Sequence, residues 1–402
     1  MVLAFSYALQ TYKAASVTSS FRAYPPNHEM EKYTTTQHDL AVQKLATEVS
    51  RFHAAQVPFR INHGSTNSTR ARDPKTPQLK IAHLNHVLNI DVEKETATVE
   101  PNVPLDSLVS KCLEKGFMPL VVMEFPGITV GGGFSGASGE STGWKEGLFD
   151  CSIEEIEIIL GNGQITYASQ DGKNSDLFNG ARCTLGTLGV ITLLKVRLMH
   201  ARETRDSHTE IVPIQSYLFR HDRGAFWSGE LFLKYFGLPN NRFARWLVDP
   251  MTKARAIYQG MLSTDSADGA IIQDFLLPVE TSEAFVEYID KELGIWPIWI
   301  CPIRRQAGGK ENVGWPFYKS AVSEEKDEMT LNFGVWGPTD PTPEAFRRTN
   351  RVMEQKLREL RGMKVPYAAN FYTEEEFWSL YDREKYESTA EEMVCRGVAQ
   401  YV

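Results

Sequence analysis

No stretch of the sequence stays apolar for long. Nothing approaches the run of about 18 residues that a bilayer-spanning helix needs, and the opening, Met1 to Val17, is interrupted by Tyr7, Gln10, Thr11 and Lys13. It has neither the basic start nor the continuous apolar stretch of a secretion signal. An intracellular protein is expected, cytoplasmic or peripherally attached to a membrane. Cysteine is scarce: Cys112, Cys151, Cys183, Cys301 and Cys395 are odd in number, far apart and without CxxC spacing. That argues against a disulfide framework or a zinc site and for a reducing compartment, so no metal is expected. Without a secretion signal, the glycosylation triplet Asn67-Ser68-Thr69 reads as a chance match. Positive charge is in deficit, with 43 Lys and Arg against 51 Asp and Glu, a net −8 and no long basic run. Phosphate binding wants a basic surface, so nucleic acid is not an expected partner.

What is present suits a globular protein of two or three structural units: 402 residues, 42% hydrophobic and 23% charged. A helix is predicted from Asp39, which can cap it, with Val42, Leu45, Ala46, Val49 and Phe52 at helical spacing. Val57 to Ile61, Ile81 to Ile90 and Thr96 to Glu100 read as strands. Pro104 to Lys115 reads as a helix, with Pro104 in its first turn and Gly116 at its end. Ile153 to Leu160 and Gln164 to Tyr167 form a predicted hairpin across Gly161-Asn162-Gly163, and Val190 to Met199 a further strand. Beyond residue 200 the chain grows rich in Trp, Phe, Tyr and Pro, with a helix predicted from Thr342 to Arg361. The alternation predicts an α+β or α/β first unit, and a second with its own sheet and helices.

Three segments point to chemistry. Arg60-Ile61 lead a strand into Asn62, His63, Gly64, Ser65, Thr66 and Asn67, where successive backbone N–H groups and two hydroxyls can form an anion site. The same residues would also suit an ordinary polar loop. From Pro126 to Ser141, six of sixteen residues are glycine. Such density lets backbone approach a ligand closely, and it is not expected to be helical. It fits neither a Rossmann fingerprint nor a Walker loop, and apolar strand signals on both sides argue against a linker. Last, Gly186-Thr187-Leu188-Gly189 turns into a buried-looking strand.

Together, in this order and spacing, the three resemble the FAD-binding domain of the vanillyl-alcohol oxidase superfamily (the PCMH type). The resemblance implies an α+β fold: a two-subdomain FAD-binding domain over 38–202, a substrate or cap domain over 203–366, and a C-terminal segment, 367–402, packing back on the first. It leaves 1–37 unassigned. It implies FAD contacts from Asn62, His63, Gly64, Ser65, Thr66 and Asn67. Pro126, Gly127, Thr129, Val130, Gly131, Gly132, Gly136, Ala137, Ser138, Gly139 and Ser141 would line the pyrophosphate and ribityl chain. Gly147 is implied as well, and Gly189, Val190 and Ile191 would meet the adenine and ribose. Leu148-Phe149, Asn174 to Phe178, Tyr217 to Trp227, Gln273 to Pro278, Gly294 to Pro302 and Glu376-Phe377-Trp378 are similar to the delta-24-sterol reductase branch. That branch reduces an isolated C=C bond of a sterol with FAD and a nicotinamide donor, so NADPH and a lipophilic small molecule are implied. Two departures stand out: no membrane-anchoring N-terminal segment is found, and the stretch between Met199 and Tyr217 is several dozen residues shorter.

Reducing an unactivated alkene needs an acid at one carbon and a hydride at the other. The candidate acids and partners are Glu124, His221, Asp222, Arg223 and Asp274, with a structural ion network as the plainer reading of His221 to Arg223. His63 is the residue at which a covalent flavin link would form, and non-covalent FAD is expected. Trp296 to Trp299 and Asn332 to Trp336 would wall a lipophilic pocket or simply pack a core. The alternative functions are a diverged oxidase or dehydrogenase, or a non-redox isomerase or cyclase that keeps FAD as a scaffold. A homo-oligomer whose pocket is completed by a second subunit is also compatible with the shortened chain.

Overall fold

Helix α1 (Thr35–Ala54) begins four residues before Asp39, because Thr34 makes the better cap. The Thr34 hydroxyl accepts from Gln37 N–H at 3.3 Å, and the Gln37 side chain accepts from Thr34 N–H at 2.7 Å. The computed structural model describes residues 34–64, 75–139, 142–172, 174–201, 212–263, 270–304, 306–307, 310–311, 329–340, 342–365 and 367–392. The expected ligands Ser65, Thr66, Asn67 and Ser141 lie outside the described residues, as does Cys395.

After α1 come the short parallel pair β1 (Arg60–Asn62) and β2 (Gln78–Lys80). The single strand expected over 81–90 is broken. Leu84 N–H turns back to the Ile81 carbonyl at 2.9 Å, and Asn102 holds that carbonyl at 2.6 Å. The strand resumes as β3 (Val87–Asp91), followed by β4 (Thr96–Val99), α2 (Leu105–Leu113) and β5 (Phe117–Pro119). Then come the short helices α3 (Val130–Gly136) and α4 (Gly143–Glu146), the hairpin β6 (Ile153–Ile159) and β7 (Ile165–Ser169), α5 (Ser175–Ala181) and the long β8 (Val190–His200). One antiparallel sheet runs β3-β4-β8-β6-β7, with β5 paired to the end of β8. Strand residues Ala97, Val99, Ile156, Ile158, Leu194 and Val196 pack with α2 and with Phe134 of α3. A separate cluster seats Val42, Leu45, Ala46 and Val49 of α1 on Phe59, Leu79, Leu84, Ile159 and Val190.

The second unit opens with α6 (Ile214–Leu218), α7 (Ser228–Tyr235), α8 (Arg242–Val248) and α9 (Ala254–Ser263). It continues with β9 (Ala270–Pro278), α10 (Val279–Tyr288), β10 (Trp299–Arg304) and the two-residue β11 (Gln306–Ala307) and β12 (Lys310–Glu311). β13 (Met329–Pro338), α11 (Pro343–Glu359), β14 (Met363–Lys364), α12 (Glu374–Leu380) and α13 (Arg383–Glu392) complete it. Its antiparallel sheet runs β10-β13-β9-β14, with Phe275 opposite Phe333. Side chains alternate across a strand. Ile271, Phe275, Leu277, Phe333 and Val335 therefore face α10 and α11, where they pack on Phe285, Met353 and Leu357. The intervening Asp274, Leu276, Asn332 and Trp336 face the first domain. The whole is α+β.

Helix α3 runs through the glycine-rich segment expected to be non-helical. Packing overrides propensity there. Thr129 caps the helix, its hydroxyl accepting from Gly132 N–H at 3.1 Å. A Cβ on Gly131 would sit 2.7 Å from Pro101, and one on Gly133 2.7 Å from both Met123 and Phe149. Glycine is what lets this helix press into the core.

Candidate active site

A cavity of about 330 Å³ lies between the two sheets. Its first-domain wall includes Thr129, Gly131, Gly132 and Ser135 to Gly139 from α3 and the turn after it, then Leu185 to Thr187, Gly189 and Ile191 at the entry to β8. Arg60, Ile61 and His63 line it as well. The opposite wall is Phe226, Tyr258, Asp274, Leu276, Trp299, Asn332, Trp336, Val365 and Tyr367.

The glycines divide by role. Gly131 N–H is spent on the Pro101 carbonyl at 2.8 Å, Gly132 N–H on the Thr129 hydroxyl, and Gly133 N–H on the Thr129 carbonyl at 2.9 Å. The beginning of the segment therefore anchors the loop, and Ser135 to Gly139, whose Ala137 and Ser138 N–H groups turn back to the Gly133 carbonyl, line the cavity. Gly189, at φ +151°, lies where a Cβ would come within 2.8 Å of Ile158. Gly186 has φ +81°. Both positions demand glycine. Several expected ligands sit elsewhere. Asn62 closes a local turn, accepting from Gly64 N–H at 3.1 Å and donating to Gln78 at 2.6 Å. Val190 belongs to the α1 cluster. Gly127 abuts Arg255, and Pro126, Val130, Gly64 and Gly147 do not line the cavity. Arg60, in the sequence simply part of the strand ahead of the polar loop, also lines the cavity and brings a positive charge to it.

Of the five candidate acids and partners, Glu124 and Asp274 line the cavity together. Asp274 is buried, with 6% of its surface exposed. Asn332 donates to one carboxyl oxygen at 3.2 Å, and Trp336 at 3.4 Å and the Tyr367 hydroxyl donate to the other. Burial raises the carboxyl from 3.8 to about 7, against the pull of the Asn332 and Trp336 hydrogen bonds and with help from the charge of Glu124. The side-chain amide oxygen of Asn332, Oδ1, is buried without a hydrogen-bond partner. His221 stands behind the wall, stacked on Phe226 at 4.6 Å and edge-on to Trp299 at 5.5 Å, and burial lowers its imidazole. Asp222, raised by burial, and Arg223, paired with Asp249, do not line the cavity. In the aromatic segments, Trp299, Asn332 and Trp336 line the cavity, Phe333 and Val335 pack the core, and Trp296 is half exposed. Tyr258 and Tyr367 carry no local signal; pairing of β14 with β9 delivers Tyr367 to Asp274.

Residues 41–169 match the family model described as an FAD binding domain. The chain thus carries an FAD-binding domain joined to a second domain across a shared cavity, and FAD is its cofactor. Delta(24)-sterol reductase of Mus musculus is 22% identical over 403 residues, covering 80% of this chain and 76% of that protein. The protein of the same name from Arabidopsis thaliana is 22% identical over 412 residues, covering 77% and 73%. L-gulonolactone oxidase of Bos taurus is 32% identical over 129 residues, covering 31% and 29%. The chain is thus similar to FAD-binding oxidoreductases, sterol reductases among them. No helix among the described residues is long and apolar enough to cross a membrane, and no metal-binding cluster occurs among them.

Proposed function

We propose that the protein reduces a C=C bond of a lipophilic, sterol- or terpenoid-like substrate, with NADPH as the electron source. The observation that carries this reading is Asp274: a buried carboxyl raised to about 7, facing a cavity also lined by the glycine-rich segment. Around neutral pH such a group can hold a proton and still give it up, as a general acid must. Bound FAD would supply the hydride; everything else falls to the chain. Asp274 holds the proton at its carboxyl oxygen and delivers it to the alkene carbon that does not receive hydride. Tyr367 and Asn332 fix the carboxyl's orientation. Phe226, Trp299 and Trp336 exclude water and take the apolar body of the substrate, while the unpartnered Asn332 oxygen can accept from a substrate hydroxyl. Ser135 to Gly139, Thr187 and Gly189 would hold the FAD, with Arg60 against its pyrophosphate, and we assign a non-covalent attachment. The curated sterol reductases support the reaction class.

The test begins with the absorption spectrum. The flavin bands should move to the supernatant on acid precipitation, and NADPH should bleach them anaerobically. Asp274→Asn should then lower alkene reduction about 100-fold or more, with flavin content and bleaching unchanged. The wild-type rate should fall as pH rises above about 7. An Asp274→Asn variant with full turnover would remove the assignment of the acid. Bleaching only by substrate, with rapid reoxidation by oxygen, would instead select an oxidase.

A further inference from the structure

Helix α8 (Arg242–Val248) is built with two opposite faces. Asn241 caps it, accepting from Ala244 N–H at 2.8 Å. Ala244 and Val248 turn inward and pack with Leu233, Phe232 and Leu238. Phe243, Trp246 and Leu247, at i, i+3 and i+4, turn outward. Trp246 is 71% exposed and Phe243 68%, the two most exposed large apolar side chains among the described residues. Their rings lie 5.9 Å apart, so they form one patch. An isolated exposed apolar residue needs no explanation, but an aromatic pair beside a leucine on one helix face does.

Charge indicates what covers the patch. Arg242 and Arg245 flank it, both exposed, and neither forms an ion pair among the described residues. From Arg220 to Tyr258 the sequence has seven Arg and Lys against three Asp and Glu, net +4, in a chain of net −8. The local sign is opposite to that of the whole molecule and would repel a basic partner. Aromatic rings beside arginines suit the headgroup layer of a bilayer: the rings sit at the polar–apolar boundary and the guanidinium groups reach phosphates. Seven helical residues span only about 10 Å, so this is a shallow wedge whose binding is reversible and strengthened by anionic lipid.

We propose that the outer face of α8 docks the protein on an anionic lipid surface, with Phe243, Trp246 and Leu247 entering the headgroup boundary and Arg242 and Arg245 at phosphate level. The placement suits a lipophilic substrate. α8 lies in the chain between Phe226 and Tyr258, both of which line the cavity. Next to Phe226, the Trp227 indole donates to the Trp336 carbonyl at 2.8 Å, tying this helical unit to the cavity strand β13. Docking itself is independent of the reaction, because it is read without substrate.

The experiment is co-sedimentation of the full chain with vesicles of phosphatidylcholine containing a quarter phosphatidylserine, compared with phosphatidylcholine alone. Wild type should bind the anionic vesicles and lose most of that binding in high salt. Phe243→Ser/Trp246→Ser should reduce the vesicle-bound fraction about 10-fold, and Arg242→Gln/Arg245→Gln should remove the preference for anionic lipid. Both double variants should keep the wild-type flavin absorbance and thermal transition, which separates lost docking from lost folding. Equal binding by wild type and Phe243→Ser/Trp246→Ser, or no wild-type binding to anionic vesicles, overturns the proposal. So does a wild-type dimer that these substitutions convert to monomer, because the face would then be covered by a second copy.

Discussion

Asp274 combines burial with three hydrogen-bond donors, and burial prevails, raising its carboxyl from 3.8 to about 7. This has a consequence for stability as well as for chemistry. The folded state binds the proton more tightly than the unfolded chain. The associated stability is therefore complete below about pH 4 and declines as pH rises through 7, with no further change above it. Asp274→Asn cannot lose that proton. The melting temperature of the variant relative to wild type should accordingly rise between pH 5 and pH 8, as measured by thermal denaturation at each pH. A constant difference across that range would show that the carboxyl is not held neutral by the fold.

Helix α1 is tied to the first sheet by more than its apolar stripe. His38, 2% exposed, bridges Glu100 at 2.8 Å and Glu157 at 3.2 Å. Glu100 also takes His86 at 2.8 Å, and Glu157 takes the hydroxyls of Thr192 and Tyr167 at 2.5 Å each. Burial pulls the His38 imidazole down, but hydrogen bonds and charge from the two glutamates more than reverse this and push it from 6.5 up to about 9. Both glutamates are held below the usual carboxylate range despite burial, chiefly by His38. Removing one member of such a buried set costs more than its absence from the start would, because charges are left unpaired. His38→Ala should lower unfolding stability by about 3–5 kcal/mol at pH 6, read from urea denaturation. The contribution of His38 is complete below pH 6.5 and is lost as pH rises through about 9. The gap between variant and wild type should therefore shrink by pH 10.

The two domains meet along Ala137, Leu148 and Cys183 on one side and Leu276, Cys301, Ile303, Met363 and Val365 on the other. The C-terminal helices strap this arrangement. Arg351 of α11 donates to Glu376 of α12 at 2.8 Å, while Tyr381, Tyr386 and Ala390 pack against the first-domain core. Tyr386 also lies 5.7 Å from the Trp378 ring. Tyr386→Ala should cost about 1–3 kcal/mol and loosen the coupling between domains. Urea denaturation followed by flavin absorbance and by far-ultraviolet dichroism should then give separated midpoints. Coincident midpoints in the variant would show that the strap does not couple the domains.

Local order set much of this architecture in the sequence itself. The hairpin across Gly161-Asn162-Gly163, strand β8, helix α2 and the Pro343-led helix α11 follow from hydrophobic period and end signals, which depend only on neighbours along the chain. The density of glycine around residues 126–141 likewise marked where backbone must approach something closely. Tertiary packing decided the rest. It made α3 helical because Gly131 and Gly133 are pressed against Pro101, Met123 and Phe149. It spent the first N–H groups of that segment internally and left Ser135 to Gly139 facing the cavity. It also chose among the acids. Asp274 and Glu124 reach the cavity, whereas Arg223 finds Asp249 at the surface, because strand alternation and pairing across a fold, not residue type, determine which side chains meet. Tyr367 shows the limit most plainly: 93 residues from Asp274 in the chain, it becomes its partner only when β14 lies beside β9.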